Sequence, residues 1–248
     1  MQIDDRHVIE VSFHDRMVGD HDTRGGYFYD WGLSSEAVRC AREALGELEG
    51  KQILDYGCGA GDEALWLASQ GAQVSAIDIS AQMVQLTQQR ADAAGLGGQV
   101  CAIKMVGEDL KFEAGAFDLV YGVSVIHHVA LELAGPEIHR VLKLGGKAVF
   151  VEPLIYNPMI NLFRKLTPQR RSQTEKPLTY EQIKRLAAGF QELRTREFNL
   201  TNMVAIVFPQ KLVFRAVLWM GTKVDRFLLR VFPILRRYCW LTVIEMVK

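Results

Sequence analysis

The residues with the clearest chemical meaning form the run 55–62, in which an acid is followed by three glycines at alternate positions. A short apolar run precedes it, and the stretch 63–70 after it predicts a helix. Glycine reaches positive φ and lets a ligand approach the backbone, and a helix N-terminus carries partial positive charge. We therefore expect a strand, a tight turn and a helix that bind a charged, polar small molecule, with Asp55 as an acceptor.

Further polar residues follow later predicted strands. Asp78 ends the strand 73–77, and an acid at that point can bind both hydroxyls of a ribose. His127 and His128 follow the strand 117–121, and histidine is suited to proton transfer near neutral pH. Adjacent helical residues diverge by about 100°, so we expect only one of the two rings to face an acceptor. Glu152 precedes Pro153 and either meets an acceptor or caps a loop.

Two classes of ligand compete for the glycine-rich turn. The dinucleotide fingerprint G-x-G-x-x-G would place its third glycine at Asp62, whose charge is unfavourable beside a pyrophosphate. The acid-x-G-x-G-x-G pattern instead resembles motif I of the class I S-adenosylmethionine-dependent methyltransferases. In that family the acid and the glycine backbone hold the amino-acid end of the cofactor. The resemblance assigns this role to Asp55, Tyr56, Gly57, Cys58 and Gly59.

The run 78–83 resembles the family's D-x-S-x-x-M pattern. The resemblance implies that Asp78 binds the ribose and that Ile79 and Met83 sandwich the adenine. Ser80 also suits an ordinary helix N-cap, and both roles are compatible.

The loop after the predicted strand 100–105 contacts the adenine edge in this family. The resemblance therefore adds cofactor residues that lie in this loop or end the next strand: Gly107, Glu108, Asp109 and Gly122. The strand 117–121 matches the family pattern F-D-x-V, and histidines often follow it. The run 142–146 resembles the L-x-P-G-G turn, with Leu144 in place of the proline. The resemblance covers residues 51–152.

The order of predicted elements indicates an α/β fold. Strands alternate with helices over 51–151, which predicts a doubly wound, mostly parallel sheet with helices on both faces. The resemblance implies seven strands closed by an antiparallel terminal hairpin. We expect an N-terminal helical cap at 1–50 with a helix at 35–48, a Rossmann-like cofactor half at 51–152 and a substrate-side half at 153–248.

The segment 203–237 departs from a minimal methyltransferase because it is both apolar and basic. Its spacing predicts a pair of basic amphipathic helices, in which Val224, Leu228 and Val231 mark the apolar face. Three interpretations remain open: a cap on the sheet, a lid over a lipophilic substrate, and peripheral attachment to an anionic membrane. Charges interrupt every apolar run before the ~20 residues that a transmembrane helix needs.

Composition narrows the class of protein. The chain has 29 basic and 29 acidic residues, and the resulting net charge of +0 argues against nucleic acid as the main partner. The four cysteines show neither metal spacing nor a disulfide framework, and the N-terminus lacks a signal-peptide core, so we expect the cytoplasm. His7, His14 and His21 recur every seven residues without an evident acidic partner set, and no metal site is predicted.

The sequence thus predicts an S-adenosylmethionine-dependent methyltransferase for a small or lipophilic acceptor, with oxygen as the favoured methylated atom. The predicted catalytic candidates are His127, His128 and Glu152. Two alternatives stay open: a non-catalytic scaffold that binds the cofactor, and a nicotinamide-dependent oxidoreductase. The sequence does not determine the oligomeric state.

Overall fold

A computed structural model describes residues 3–17, 32–167, 172 and 174–248. One seven-stranded sheet has the order β3-β2-β1-β4-β5-β7-β6. All neighbours pair in parallel except β7, which is antiparallel to β5 and β6. The strands are β1 Gln52–Tyr56, β2 Gln73–Asp78, β3 Val100–Lys104, β4 Phe117–Val123, β5 Leu142–Pro153, β6 Glu192–Phe198 and β7 Leu241–Val247.

Helices cover both faces of the sheet, because its central strands are apolar on both sides. Leu67 and Phe214 pack on one face, and Ile138 and Leu186 pack on the other. The doubly wound fold and its antiparallel closing strands are therefore confirmed. The helices are α1 Ile3–Met17, α2 Ser35–Leu45, α3 Asp62–Ser69, α4 Ala81–Ala93, α5 Leu131–Val141, α6 Pro158–Leu166, α7 Tyr180–Leu186 and α8 Lys211–Val231.

Strand β5 begins earlier than the sequence predicts. Leu142 already pairs with Phe117, and pairing with β4 resumes only when Lys147 meets Leu119. The predicted turn at 142–146 is therefore a bulge inside the strand, with Gly145 at φ 74°. This bulge leaves the carboxyl end of β5 in register with β4, so Val123 pairs with Val151 directly before Glu152.

The segment 203–237 forms one long helix, α8, between two 3-10 turns, rather than the predicted pair of helices. The apolar face marked by Val224, Leu228 and Val231 is not buried on the sheet, because Val224 and Val231 are exposed and Leu228 is half-buried. The buried face of α8 instead contains Phe214 and Asp225. At Gly221 the helix packs so closely that an added Cβ would lie 2.8 Å from the Cα of Asn202.

Asp225 attaches α8 to the loop after β6. Its carboxylate accepts hydrogen bonds from the backbone N–H groups of Leu200, Thr201 and Asn202, at 2.9, 2.9 and 3.3 Å. A buried carboxylate bound by backbone donors fixes α8 on the sheet and determines which side of the helix faces water. Among the described residues, no helix is both long enough and apolar enough to span a bilayer.

Helix α1 was not predicted from the sequence. It packs against α4, and the hydroxyl of Ser80 donates to Asp15 Oδ1 at 2.5 Å. Ser80 lies just beyond the carboxyl end of β2, so α1 lies over the edge where the predicted site residues meet. The second helix of the predicted cap, α2, ends at Leu45 rather than at residue 48.

Candidate functional site

Asp55 lies at the carboxyl end of β1 and is buried. Its Oδ2 atom has no hydrogen-bond partner among the described residues. Burial, with the nearby charges of Glu63 and Asp78, raises the pKa of Asp55 well above its ordinary value. A buried carboxylate without a cationic partner is costly, so this position is suited to an incoming positive group.

The glycine-rich turn has the predicted backbone shape. Gly57, Gly59 and Gly61 have φ of 80°, 51° and 89°, a region that other residues rarely adopt. At Gly57 an added Cβ would lie 2.3 Å from Val125 Cγ2. The turn therefore requires glycine both for its conformation and for its contact with the loop after β4.

The N–H groups of this turn are used within the protein. Those of Gly57 and Cys58 donate to the carbonyl of Ile77 at 2.9 and 2.8 Å, and that of Gly59 donates to Asp78 Oδ2 at 2.9 Å. These donors are therefore bound to protein acceptors, and their predicted contact with a ligand stays a prediction. The turn contributes shape and anchors β1 to the end of β2.

Asp78 connects the glycine-rich turn to α4. Its Oδ1 atom accepts from the N–H of Ser80 at 2.9 Å, while Oδ2 is bound by Gly59. Each carboxylate oxygen has two lone pairs, so capacity for ribose hydroxyls remains. The hydroxyl of Ser80 accepts from the N–H of Met83 at 3.2 Å, which confirms the predicted N-cap. Met83 is buried, and Ile79, four residues earlier, is half-buried.

The loop after β3 separates the two predicted acids. Glu108 is buried, and its Oε1 atom accepts from the N–H of Ala130 at 2.9 Å. Asp109 is exposed and pairs with Lys111 at 2.5 Å, so it does not lie among the buried residues at this edge of the sheet.

Two predicted glycines, Gly107 and Gly122, make space for Tyr56. A Cβ added at these positions would lie 2.0 Å from the Tyr56 hydroxyl and 2.7 Å from its carbonyl oxygen, respectively. Tyr56 is buried at the end of β1. The structure therefore gives both glycines a packing role at this edge of the sheet.

Glu152 is fully buried and organises the turn after β4. Its carboxylate accepts from the N–H groups of Val125, Ile126 and His127, at 2.9, 2.7 and 3.4 Å. Its Oε2 atom also lies 2.6 Å from Nδ1 of His127. Of the two predicted roles for Glu152, capping a loop is the one that the structure shows.

His127 and His128 lie side by side, with ring centroids 4.2 Å apart. The two residues belong to the 3-10 turn Ile126–His128 and not to an α-helix, and which of the rings faces an acceptor stays a prediction. Glu152 determines this turn by holding three consecutive N–H groups. The rule of about 100° between neighbours applies only to a regular α-helix.

One face of α1 supplies polar groups that sequence reasoning missed. His7 Nε2 lies 3.4 Å from Glu108 Oε2, and His14 Nε2 lies 3.6 Å from Glu10 Oε2. The seven-residue spacing of His7 and His14 thus has a structural meaning, since both residues meet a carboxylate. His21 lies outside the described residues. The signal available in the sequence was the acid Glu10, which shares one helix face with both histidines.

Glu10, a residue of α1, is buried against the loop after α6. Its Oε1 atom accepts from the hydroxyls of Ser172, at 2.8 Å, and Thr174, while Oε2 lies 3.0 Å from His128 Nδ1. Burial alone would raise the pKa of Glu10, but His128, His14 and Thr174 hold that pKa well below its ordinary value. Desolvation and the neighbouring His127 lower the pKa of His128, although Glu10 opposes this shift.

Comparison with known proteins shows what this fold and motif order are similar to. Residues 54–150 match the family model described as "Methyltransferase domain". The selenomethionine form of phosphoethanolamine N-methyltransferase 2 from Haemonchus contortus, in complex with S-adenosyl-L-methionine, superposes with a TM-score of 0.66 at 20% identity. That match covers 96% of this chain and 60% of the other.

Curated relatives agree with this class. The ubiquinone/menaquinone biosynthesis C-methyltransferase UbiE of Geotalea uraniireducens is 30% identical over 140 residues, which cover 55% of this chain and 59% of the relative. The malonyl-[acyl-carrier protein] O-methyltransferase of Herminiimonas arsenicoxydans is 30% identical over 148 residues, covering 59% and 51%. The chain thus spans between half and three-fifths of these relatives. These similarities agree with the class that the motifs predict: residues 54–150 are similar to the methyltransferase domain, and the fold is similar to that of a methyltransferase bound to S-adenosyl-L-methionine.

The buried His128 makes folding stability depend on pH. Because its folded pKa is lowered, the unfolded chain binds a proton near pH ~6.5 that the folded protein does not. The free energy of unfolding should therefore fall as pH drops from 7.5 to 5.5, by up to about 1.4 kcal/mol per pH unit from this group. Glu10 adds little in this window, because an unfolded glutamate is ionised above its pKa of ~4.3.

Urea unfolding of the wild type and of His128→Gln at pH 7.5, 6.5 and 5.5 measures this effect. The variant should show a shallower pH dependence than the wild type. Equal slopes in the two proteins would contradict the assignment of the effect to His128.

Proposed function

We propose that this protein transfers the methyl group of S-adenosylmethionine to a hydroxyl oxygen of a small or lipophilic acceptor. The observation that carries the proposal is the buried, unpartnered carboxylate oxygen of Asp55 at the motif I turn. The ammonium group of the cofactor's amino-acid end is the partner that such an atom lacks. Its charge would offset the unfavourable contacts of Asp55 with Glu63 and Asp78.

The proposed cofactor set follows the edge of the sheet. Asp55 binds the amino-acid end, and the turn 56–59 shapes the space around it. Asp78 binds the ribose, and Ile79 and Met83 contact the adenine. Gly107, Glu108 and Gly122 complete the set. Asp109 is left out because it is exposed and paired with Lys111.

In the proposed reaction the protein aligns the acceptor hydroxyl with the methyl group and removes the proton of that hydroxyl. The sulfonium of the bound cofactor supplies an electrophilic methyl group. We assign the proton acceptor to His127, because Glu152 binds its Nδ1 and so favours the tautomer in which Nε2 accepts. Glu152 is then a positioning residue and not a second base. A base at this place supports oxygen as the acceptor atom, since a hydroxyl must lose its proton.

The two alternatives differ in what they require. A scaffold that only binds the cofactor gives no reason for a histidine held by a buried carboxylate. A nicotinamide-dependent oxidoreductase would place a pyrophosphate near Asp62, which is the first residue of α3. Its negative charge there disfavours that ligand, although Arg90 pairs with it at 2.7 Å.

Cofactor binding tests the first step. S-adenosylmethionine at about a hundred times its Kd should raise the melting temperature by about 5–10 °C, whereas NAD should not. Asp55→Asn should lose most of this shift while remaining folded, because burial already favours the neutral carboxyl in the free protein. Asp62→Asn is the matched control and should keep the shift. A folded wild type without any shift would refute the proposal.

Turnover tests the second step and separates an enzyme from a scaffold. Release of S-adenosylhomocysteine is measured against acceptor fractions sorted by polarity. On any active fraction, His127→Ala should lose turnover by about 10²–10⁴-fold while keeping the cofactor-induced melting shift. His139→Ala, in which the altered ring packs against Phe190, is the control and should remain active. Normal turnover of His127→Ala would remove the assigned base.

A second proposal concerns α8, which we infer attaches the protein to an anionic membrane surface. Its water-facing side carries large apolar residues, and Trp219 and Phe227 are each 65% exposed. On adjoining positions of the same side are exposed cations that include Lys223 and Arg230. A helix with neighbouring apolar and basic faces is suited to lie in the interface of an anionic bilayer. The exposure of Trp219 and Phe227 also disfavours the lid interpretation, because a residue of a lid would face the acceptor and not water.

Vesicle sedimentation measures this attachment. The protein should bind anionic but not neutral vesicles, and salt should weaken binding because the Debye length is only ~8–10 Å at 0.10–0.15 M. Lys223→Glu with Arg230→Glu should release it without lowering the melting temperature. Arg226 is left unchanged because its Nε binds Glu36 at 2.7 Å.

The matched control carries the same charge change elsewhere, at the exposed residues Lys104 and Lys184. This control, Lys104→Glu with Lys184→Glu, should still bind. Equal loss of binding in both double variants would show a net-charge effect and not a docking face. Absence of binding in the wild type would leave α8 as a cap on the sheet.

A further inference from the structure

A group of ligand-type side chains lies beside the assigned base but has no part in the proposed methyl transfer. Glu10 and His14 come from α1, and His128 comes from the turn after β4. One nitrogen or oxygen atom from each lies within 4.8 Å of the others. Glu10 Oε2 is 3.0 Å from His128 Nδ1 and 3.6 Å from His14 Nε2.

Two of these atoms are buried and imperfectly paired. Glu10 Oε2 and His128 Nδ1 lie 3.0 Å apart, but no hydrogen bond of good geometry satisfies either atom among the described residues. Buried polar atoms of this kind are rare in folded proteins and are consistent with a site for an ion. Two ligand atoms about 2.1 Å from one tetrahedral ion lie about 3.4 Å apart. The observed distances of 3.0 and 3.6 Å lie on either side of that value.

We propose that Glu10, His14 and His128 form a binding site for a divalent first-row transition metal of the zinc type. Two imidazoles and one carboxylate suit zinc, cobalt or iron, whereas magnesium and calcium prefer oxygen ligands throughout. Three protein ligands also leave a tetrahedral ion one open position, as in catalytic zinc sites.

The surroundings hold two of the ligands in place. The second oxygen of Glu10 accepts from the hydroxyls of Ser172 and Thr174, as outer partners of a metal-binding carboxylate commonly do. The ring of His128 packs against that of His127, which Glu152 fixes.

A neighbouring group competes for His128. It combines His128 with His127 and Glu175, again with ligand atoms within 4.8 Å. Its other members are already bound, because His127 Nδ1 meets Glu152 at 2.6 Å and Glu175 accepts from Arg164 at 2.6 Å. The group with the unsatisfied atoms is the stronger candidate.

The open coordination position suggests a role for the ion in catalysis, and this role rests on the proposed methyl transfer. An acceptor hydroxyl bound there would have a lowered pKa, which would assist proton loss next to His127. The site itself does not depend on that reaction. Metal binding can therefore be tested without cofactor or acceptor, and its failure would leave the methyltransferase proposal intact.

The test uses the full chain after removal of metal by a chelator. Zinc titrated by calorimetry should bind with one equivalent per chain, and cobalt should give visible bands typical of low coordination. Zinc at about a hundred times its Kd should raise the melting temperature by about 5–10 °C. His14→Ala and His128→Ala should each weaken binding by more than about 100-fold, and Ser172→Ala by about 10–100-fold.

Matched controls decide the outcome. His7→Ala changes a histidine on the same helix that faces Glu108, and His139→Ala changes one on α5. Both should bind zinc like the wild type. Because His14 lies on α1 and outside the sheet, His14→Ala keeps the test informative if His128→Ala fails to fold. Absence of one-equivalent binding would overturn the proposal, and so would unchanged binding in folded His14→Ala.

Discussion

The buried carboxylate of Glu152 is the interaction on which the site depends. It stands at the carboxyl end of β5 and holds three consecutive N–H groups of the turn after β4. A buried charge is tolerated only where donors surround it, so the turn cannot relax without leaving that charge unsatisfied. The position of His127 follows directly, and His128 is carried with it. Glu10 of α1 then meets His128, so this carboxylate also contributes to the position of the covering helix.

The sequence was most informative where local pattern and tertiary environment agree. Buried parallel strands are nearly continuous apolar runs, and the glycines of the motif I turn have no substitute at positive φ. Asp55 and Asp78 could therefore be predicted at strand ends from the sequence alone. The hydrogen-bond partners of the turn's N–H groups could not be predicted, because they depend on how closely β2 approaches the turn. Nothing in the local sequence distinguishes an N–H that faces a ligand from one that binds Ile77.

The errors have a common physical cause. Periodicity finds the side of a helix that is apolar, but α1 turns a polar side inward and α8 leaves an apolar side in water. In α8 the buried side includes Gly221 and Asp225, which any hydropathy pattern assigns to the exterior. In α1 the inward side carries His7, Glu10 and His14. In both helices tertiary hydrogen bonds, and not hydrophobic burial, decide the orientation, so hydropathy periodicity could not predict which side faces the protein.

The polar inner side of α1 also affects the energetics of a movement of this helix away from the site. Among its described side chains, Glu10 alone is buried, and the contacts of this helix with the site are ionic and hydroxylic. Separation of such a surface exchanges internal hydrogen bonds for bonds to water and uncovers less hydrocarbon than separation of a helix with buried apolar side chains. Since heat capacity follows the apolar area exposed, a movement of α1 alone would carry a small heat-capacity change. The rate of opening would then follow nearly linear Arrhenius behaviour, unlike the curved temperature dependence expected when a hydrophobic lid detaches.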